Sequence, residues 1–356
     1  MKNALVLHGT SGNSHENWFP WLEKELQSRG YKVWTPDLPG AEKPNIQRYN
    51  DFIFSNKDWI FDGDSIIVGH SSGAVAILGL LQALPKDVVV NACYLVGSFR
   101  NDLEWDALKE LFVEPFNFDL IKQKSRLFYF LHSDNDPYCP LSQAEYLHAK
   151  IGGDLIVLQG QKHFSVGTFG EAYRQFPYLL HLIIGDSMTQ DCVIDLYTQI
   201  ENNGIKIWLD GGWSVDALLE KQTRPHGDVD IVAQEKDVPA LLKLLEKKGY
   251  HRVKRGDETD WNFIVGDSEA RFVDFHIINL DKQGNGIYGP AEKGQMYYAE
   301  ALTGKGKIGN LEIHCISPEW MVKFHTGYKL RAQDYLDVTQ LCKKFGLELP
   351  EEYCNE

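Results

Sequence analysis

A serine between two glycines is the first feature of the sequence that could do chemistry. Residues 69–73 read GHSSG; they follow an apolar run and precede a helical pattern. This strand–turn–helix context is that of a nucleophile elbow, which projects the serine hydroxyl above the edge of a sheet. A serine nucleophile also needs a base, and a carboxylate that orients the base. Because His163 and Asp136 each come shortly after an apolar strand candidate, we predict Ser71 as nucleophile, His163 as base and Asp136 as acid.

Two parts of this serine site stay open at the level of the sequence. Asp134, two residues before Asp136, is the rival orienting acid. The expected oxyanion donors are the backbone N–H groups of Ser72 and of Thr10, which lies in the loop after the first strand candidate. The alternative to a catalytic site is a simple turn at GHSSG together with a packed histidine at position 163.

Three separated carboxylates form a second candidate site. Asp228 and Asp230 alternate along an apolar strand candidate, so their side chains point to the same face. Asp274 lies between apolar residues of another strand candidate, where an inward charge needs a reason. A shared divalent cation would offset the repulsion between these carboxylates. Gly211 and Gly212, between a strand and a helix, would let backbone N–H groups approach phosphate oxygens.

Each of these signals has an ordinary explanation when it is taken singly. An Asp-x-Asp pair in a strand is commonly solvated, a Gly-Gly pair is usually a turn, and Asp274 fits the edge of a sheet. Their order along the chain is what favours one joint site for a metal ion and a nucleotide.

Alternating strand and helix signals position these residues. Across 1–185 they predict an α/β fold with a mostly parallel sheet and helices on both faces. A second series, with clustered strands and longer closing helices, predicts a mixed α/β domain over 186–356. The predicted strands are 3–8, 31–36, 64–69, 88–97, 126–132, 153–158, 205–209, 228–233, 250–255, 261–265 and 271–279. The predicted helices include 18–29, 73–83, 141–150, 187–202, 212–220, 237–248, 317–330 and 333–345, and 281–310 is predicted as loop.

The composition argues against several classes of protein. The 356 residues are 43% hydrophobic and 24% charged, which is typical of a soluble globular chain. No apolar run reaches the roughly 18 residues of a membrane-spanning helix, so we expect no membrane partner. A net charge of −14 argues against a nucleic-acid partner. Six cysteines without C-x-x-C or metal-ligand spacing favour reduced thiols and a cytoplasmic location.

A set of short motifs runs through residues 1–183. They are LVLHG, NWFPWL, TPDLPG, GHSSG and DNDPYCP, followed by His163. This part of the chain resembles the small serine hydrolases of the YdeN and retinoblastoma-binding-protein-9 type, within the α/β-hydrolase superfamily. The resemblance implies a compact hydrolase without a large lid domain, and we expect its substrate to be a small ester or amide.

A second and more specific set of motifs runs through residues 190–346. It comprises WLDGGWSVDALLEKQTRPHGDVDI, VDFHII and CISPEWMVKFHTGYKLRAQDYLDVTQL. These motifs resemble those of the lincosamide nucleotidyltransferases and the related aminoglycoside 2''-adenylyltransferases. The resemblance implies transfer of AMP from ATP to a hydroxyl of an antibiotic, with release of pyrophosphate. It therefore implies Mg²⁺ as the metal and ATP as co-substrate.

The same resemblance assigns roles to residues by their position in the motifs. Asp228 and Asp230 would hold magnesium. Asp274 would be the third carboxylate of the metal site and the candidate base for the acceptor hydroxyl. Arg224 and His226 are candidate phosphate contacts, and the alternative is that both are ordinary loop residues.

Together, these observations predict a fused protein, an α/β-hydrolase followed by an antibiotic-type nucleotidyltransferase. We expect its main activity to be adenylylation of an aminoglycoside or lincosamide, with a nucleoside triphosphate as the other small-molecule partner. Two rival hypotheses concern the first half. Either the serine hydrolase provides the physiological activity, or the hydrolase half is a non-catalytic scaffold or interaction module.

Overall fold

The structure is a computed structural model that describes residues 2–255, 257–290 and 295–354. The chain forms two units, one of Met1–Leu180 with Val253–Asp257 and one of His181–Arg252 with Glu258–Glu356. The boundary predicted at residue 185 falls between Leu180 and the first long helix of the second unit. The sequence did not indicate that Val253–Asp257 belongs with the first unit.

The first unit is built on a parallel sheet. Its strands are β1 (Asn3–Leu7), β2 (Lys32–Trp34), β3 (Ser65–His70), β4 (Val90–Val96), β5 (Ser125–Ser133) and β6 (Asp154–Leu158). They lie in the order β2-β1-β3-β4-β5-β6, and each neighbouring pair is parallel. These are the strands predicted for this half, with bounds that differ by a few residues at most. Because the strands are parallel, their carboxyl ends share one edge of the sheet.

Helices connect these strands. They are α1 (Phe19–Ser28), α2 (Ile46–Ser55), α3 (Ser72–Ala83), α4 (Phe118–Lys122) and α5 (Leu141–Ile151). Two more helices, α6 (Val166–Phe169) and α7 (Pro177–Ile184), follow β6, and the division between the units falls within α7. Short 3-10 helices lie at Asp106–Leu111 and Glu171–Arg174. Helix α3 begins directly after the GHSSG serine and is buried along almost its whole length, because its residues are nearly all small or apolar.

The second unit is built on a mixed sheet. Its strands are β7 (Ile207–Leu209), β8 (Asp228–Gln234), β9 (His251–Arg255), β10 (Asn262–Gly266), β11 (Phe272–Leu280), β12 (Gly286–Tyr288), β13 (Gln295–Tyr297), β14 (Gly304–Ile308) and β15 (Leu311–Cys315). The order is β14-β15-β7-β8-β11-β10, and β12 and β13 continue from β11. Strands β8 and β11 are parallel and β7 is antiparallel to β8. The last three residues of β9 are grouped with the first unit, where Lys254 and Arg255 pair with β6.

The helices of the second unit enclose a hydrophobic core of their own. They are α8 (Gln190–Asn202), α9 (Gly211–Leu219), α10 (Val238–Glu246), α11 (Pro318–Phe324) and α12 (Ala332–Phe345), with 3-10 helices at Glu235–Asp237, Ala301–Thr303 and Glu351–Tyr353. Trp213, Tyr197, Phe263 and Phe275 are among the largest side chains buried in this core. Within the described ranges, no helix combines the length and the apolar character that crossing a membrane requires.

Two predicted elements of the second unit were wrong. The segment 281–310 contains β12, β13 and β14, not loop alone. Its glycines permit close packing of a strand: a Cβ at Gly306 would lie 2.5 Å from the Ala217 backbone of α9, and one at Gly304 2.5 Å from the carbonyl oxygen of Cys315. The helix predicted to reach residue 330 ends at Phe324, and Gly327 shortly after it has a φ of +84°.

The close approach of backbone at Gly73 generates a stability prediction. A Cβ at this position would lie 2.4 Å from the carbonyl oxygen of Leu7 and 2.5 Å from that of His8. We therefore expect Gly73→Ala to lower the free energy of unfolding of the first unit by about 1–3 kcal/mol, as overpacking does. Chemical denaturation measures the change. Gly167→Ala is the matched control, because no heavy atom lies within 4 Å of its added Cβ; equal losses in both variants would contradict the explanation.

Candidate active sites

The serine of GHSSG lies in a strained turn between β3 and α3. Ser71 has φ 57° and ψ −123°, and its N–H donates to the carbonyl oxygen of Val96 at 2.8 Å. Gly69 allows the turn because its Cβ would lie 2.5 Å from the carbonyl oxygen of Gly73. Gly9 faces the serine, and a Cβ there would lie 2.9 Å from that of Ser71. Backbone packing on both sides therefore holds Ser71 at the carboxyl edge of the sheet.

His163 and Asp136 form a buried hydrogen-bonded pair. The Nδ1 of His163 lies 2.6 Å from Oδ2 of Asp136, and the two side chains are 7% and 0% exposed. The other oxygen of Asp136 accepts from the backbone N–H groups of Tyr138 and Cys139 at 2.9 and 3.0 Å. Burial by itself would raise the pKa of Asp136, but His163 and these N–H groups outweigh burial and lower it. An ionised Asp136 accepts a hydrogen bond from the Nδ1–H of His163, so Nε2 keeps its lone pair for a serine hydroxyl.

The rival acid has a different role. An oxygen of Asp134 accepts from the backbone N–H of Gly160 at 2.7 Å, and Asn135 accepts from that of Lys162 at 2.8 Å. These bonds tie the loop after β5 to the loop that carries His163. The carboxylate bonded to the His163 ring is therefore that of Asp136.

Ser71 and His163 both line a cavity of about 410 Å³. Thr10 lines it too, and its hydroxyl donates to that of Ser72 at 2.9 Å, which brings together the two segments expected to supply oxyanion donors. Trp105 and Tyr138 also line the cavity, 46% and 45% exposed, with ring centroids 5.6 Å apart. A cavity of this size, with two aromatic side chains in its wall, suits a small-molecule ligand.

Sequence reasoning missed two supports of His163. Gly97, with φ +61°, lies against the ring, and a Cβ there would be 3.1 Å from its Cε1. The Nε2 of His70 lies 2.8 Å from the carbonyl oxygen of His163. Burial lowers the pKa of His70 to about 3, so this ring is neutral and its N–H donates the bond. The sequence signal that could have identified Gly97 is its position directly after β4, at the same edge of the sheet as Ser71.

The second cluster of functional side chains lies on the parallel pair β8 and β11. Asp230 stands opposite Asp274 in the register. One ligand atom each from Asp230, Asp274 and His276 lie within 4.8 Å of one another. Asp228 lies two residues before Asp230 at the start of β8 and is exposed. His276 was missed, although its position two residues after Asp274 in a strand puts it on the same face.

Negative charge dominates this cluster. Burial, followed by the charges of Asp228, Asp274 and Asp210, raises the pKa of Asp230 well above its ordinary value, and His276 opposes this. Burial lowers the pKa of His276, but Asp210 and the other carboxylates outweigh it and raise the pKa. Two or three carboxylate oxygens and an imidazole nitrogen are a ligand set that suits a divalent cation. The charge balance therefore fits a bound cation, which would take the place of protons on these groups.

Asp210 organises this cluster from the N-cap of α9. Its Oδ1 accepts from the Gly211 N–H at 2.8 Å, and its Oδ2 lies 2.8 Å from the Tyr297 hydroxyl and 3.2 Å from Nδ1 of His276. With Nδ1 bonded to Asp210, Nε2 of His276 lies on the side of Asp274, 3.9 Å from its Oδ1. A Cβ at Gly211 would lie 2.0 Å from an oxygen of Asp230, so the glycine makes room for that carboxylate.

The predicted phosphate contacts lie on the other side of the glycine pair, in a buried network. A Cβ at Gly212 would lie 2.5 Å from the ring of His226 and 2.6 Å from Nη2 of Arg224. Nδ1 of His226 accepts from Nη1 of Arg224 at 3.1 Å, and its Nε2–H donates to Asp216 at 2.7 Å. Arg224 also lies 3.7 Å from Asp337 of α12. Both ring nitrogens of His226 are therefore engaged within the protein, and His226 supports Arg224.

Two family models match the chain. A serine hydrolase family matches residues 4–183, and an aminoglycoside-2''-adenylyltransferase family matches residues 192–341. The chain is 31% identical over 152 residues to a lincosamide resistance protein of Staphylococcus haemolyticus, covering 42% of this chain and 89% of that protein. It is 25% identical over 164 residues to the putative hydrolase YdeN of Bacillus subtilis, covering 46% of this chain and 86% of that protein.

A solved structure is also similar to the second half. It is a lincomycin-bound lincosamide antibiotic adenylyltransferase, 28% identical, with a TM-score of 0.39 over 43% of this chain and 96% of that one. The matched regions coincide with the two clusters, because the serine hydrolase region includes Ser71, Asp136 and His163 and the adenylyltransferase region includes Asp230 and Asp274. The chain belongs to the serine hydrolase family through its first half and to the lincosamide and aminoglycoside adenylyltransferases through its second.

Proposed function

We propose that the second half transfers AMP from ATP to a hydroxyl of a lincosamide or aminoglycoside, and that the first half hydrolyses a small ester or amide. The observation that carries the proposed AMP transfer is the convergence of Asp230, Asp274 and His276 within 4.8 Å on β8 and β11. We also propose a cytoplasmic location, where ATP and Mg²⁺ are available and the cysteines stay reduced.

The carboxylates of the second half would hold Mg²⁺. Asp230 and Asp274 are the central ligands in this proposal, with Asp228 at the exposed side, because Mg²⁺ prefers oxygen ligands. The ion supplies charge neutralisation for the triphosphate and polarises its oxygens. Asp274 accepts the proton of the acceptor hydroxyl as that hydroxyl attacks the α-phosphorus, and pyrophosphate leaves. Arg224, supported by His226, adds positive charge beside the N-terminus of α9 for the triphosphate.

The serine site supports acyl transfer. Ser71 attacks the carbonyl carbon of the substrate while His163 takes the hydroxyl proton, and Asp136 stabilises the resulting imidazolium. Backbone N–H groups of Thr10 and Ser72 would stabilise the oxyanion. His163 then donates its proton to the leaving group, and a water molecule releases the acyl group in the second half-reaction. The cavity of about 410 Å³ suits a small substrate.

The adenylylation proposal predicts a product of defined mass. With ATP and Mg²⁺, we expect at least one lincosamide or aminoglycoside to gain a single adenylyl group, measured by mass spectrometry with release of pyrophosphate. Asp230→Asn, and likewise Asp228→Asn, should lower the rate by more than the roughly 10–100-fold that the loss of an outer-shell partner costs. EDTA should stop the reaction and added Mg²⁺ should restore it.

The control for this experiment is Glu246→Gln, which changes an exposed carboxylate at the end of α10. Its rate should equal that of the wild type. Unchanged pyrophosphate release in a folded Asp230→Asn variant would defeat the assignment of the metal site.

The hydrolase proposal predicts covalent labelling of one residue. A fluorophosphonate probe should label the wild type at Ser71, and Ser71→Ala should abolish the labelling, because the probe needs an activated hydroxyl. Peptide mass spectrometry identifies the labelled residue. A wild-type protein that resists the probe would favour the scaffold hypothesis for this half.

The two acidic residues after β5 provide a matched pair of variants. Asp136→Asn replaces the acceptor of the Nδ1 proton, so we expect the labelling rate to fall by about 10³–10⁴-fold. Asp134→Asn changes a carboxylate whose hydrogen bond, among the described residues, comes from the backbone N–H of Gly160, so its labelling rate should stay within a few-fold of the wild type. A time course of fluorophosphonate labelling at pH 7 compares the two variants. Equal losses of labelling rate would show that the acid is wrongly assigned.

A further inference from the structure

A cavity of about 350 Å³ opens at the start of α8 in the second unit, lined by residues that neither catalytic cluster uses. Cys192 lies on its wall, in the first turn of the helix. Charged side chains line the cavity, namely Lys248 and Arg271 together with Asp191 and Asp195. Lys248 pairs with Asp195 at 2.7 Å. The site therefore carries charges of both signs around a thiol.

Hydrogen-bond donors surround the sulfur of Cys192. The Thr189 hydroxyl donates to Sγ at 3.2 Å, and Nη1 of Arg271 donates to it at 3.7 Å. Arg271 is held in place by Asp267, with Nε 2.7 Å from Oδ2. Burial raises the pKa of the Cys192 thiol, but these donors outweigh burial and lower it. A thiol at a helix N-terminus beside an arginine is the environment in which a thiolate forms readily.

Tyr250 is the second observation that points to a ligand. Its side chain is 6% exposed, and it lines the same cavity. Across residues 2–255, 257–290 and 295–354, no hydrogen bond to its hydroxyl is formed. A hydroxyl without a protein partner, on a side chain that lines a cavity, can donate to and accept from a bound group. The thiol of Cys192 and the hydroxyl of Tyr250 therefore belong to two residues that line one cavity.

The other cysteines lack this combination. Cys93, Cys139, Cys315 and Cys342 are buried, and burial raises the pKa of each. Cys354 is exposed near the carboxyl end. Cys354 therefore serves as an accessible thiol outside the cavity, against which Cys192 can be compared in the same molecule.

We propose that Cys192 is a site of reversible modification by a small disulfide that carries a hydroxyl or carboxylate group. The Cys192 thiol loses its proton to solvent, and its sulfur attacks one sulfur of the disulfide. A new S–S bond to the protein forms as the original S–S bond breaks, and the other half leaves as a thiolate that takes a proton from water. The polar group of the adduct bonds to the Tyr250 hydroxyl inside the cavity. A cellular thiol reverses the reaction by the same exchange.

The experiment uses the full chain and two symmetrical probes, 2-hydroxyethyl disulfide and diethyl disulfide, which differ in one hydroxyl on each half. Peptide mass spectrometry follows adducts at Cys192 and Cys354 at several pH values. At pH 7 we expect Cys192 to react at least about tenfold faster than Cys354, with a midpoint at lower pH. We also expect Cys192, but not Cys354, to prefer the hydroxyethyl probe, and dithiothreitol to remove the adduct.

Three variants test the parts of the site. Tyr250→Phe should abolish the preference between the two probes at Cys192 while leaving the thiol reactive. Arg271→Lys should slow Cys192 and leave Cys354 unchanged, and Cys192→Ser should leave labelling at Cys354 only. Reaction of Cys192 no faster than Cys354 in the wild type would overturn the proposal. A probe preference that persists in Tyr250→Phe would also overturn the proposal. Neither the comparison of Cys192 with Cys354 nor the probe preference depends on whether Arg271→Lys folds.

Discussion

Repulsion between carboxylates is the constraint on which the second half depends. The register of β8 and β11 places Asp230 directly opposite Asp274, and both lie in a region where Asp210 adds a further negative charge. Parallel pairing of two apolar strands would not by itself bring these charges together at low cost. His276 offsets part of the charge, and the set as a whole suits a divalent cation. The geometry of the cluster thus follows from the sheet, and its composition follows from the ion that we propose.

Both candidate clusters are built where the backbone leaves no room for a further side chain. In the first half, Gly69, Gly73 and Gly97 let the serine turn and the His163 ring lie against neighbouring strands. In the second half, Gly211 makes room for the Asp230 carboxylate, and Gly212 makes room for the His226 ring and the Arg224 guanidinium. The glycines of the second site were expected to expose N–H groups to phosphate. The side chains of Asp230, His226 and Arg224 lie next to these glycines, so the first effect of the glycines is to permit close packing at the start of α9.

Much of the fold follows from local sequence pattern. Runs such as LVL in β1 and IIV in β3 are apolar on every position, which indicates strands buried on both faces, and the helical patterns between them are equally clear. The strand β14 was not anticipated, because Gly304 and Gly306 weaken any strand signal. Only contact with Cys315 and with Ala217 of α9 explains why glycine is used there. Likewise, nothing local shows that Val253–Asp257 belongs with the first unit.

The sequence by itself determined the chemistry of each half: a serine elbow with an acid and a histidine after later strands, and paired carboxylates on two apolar strands. Residue type and alternation are local properties, so they can be read directly. Tertiary structure decided the choice between Asp134 and Asp136, since both follow the same strand and only the fold brings His163 to one of them. It also decided that His276 joins the carboxylates and that His226 turns inward to Arg224. These outcomes depend on strand register and on which side chains fill the space beside the glycines, and neither is encoded in the spacing of residues along the chain.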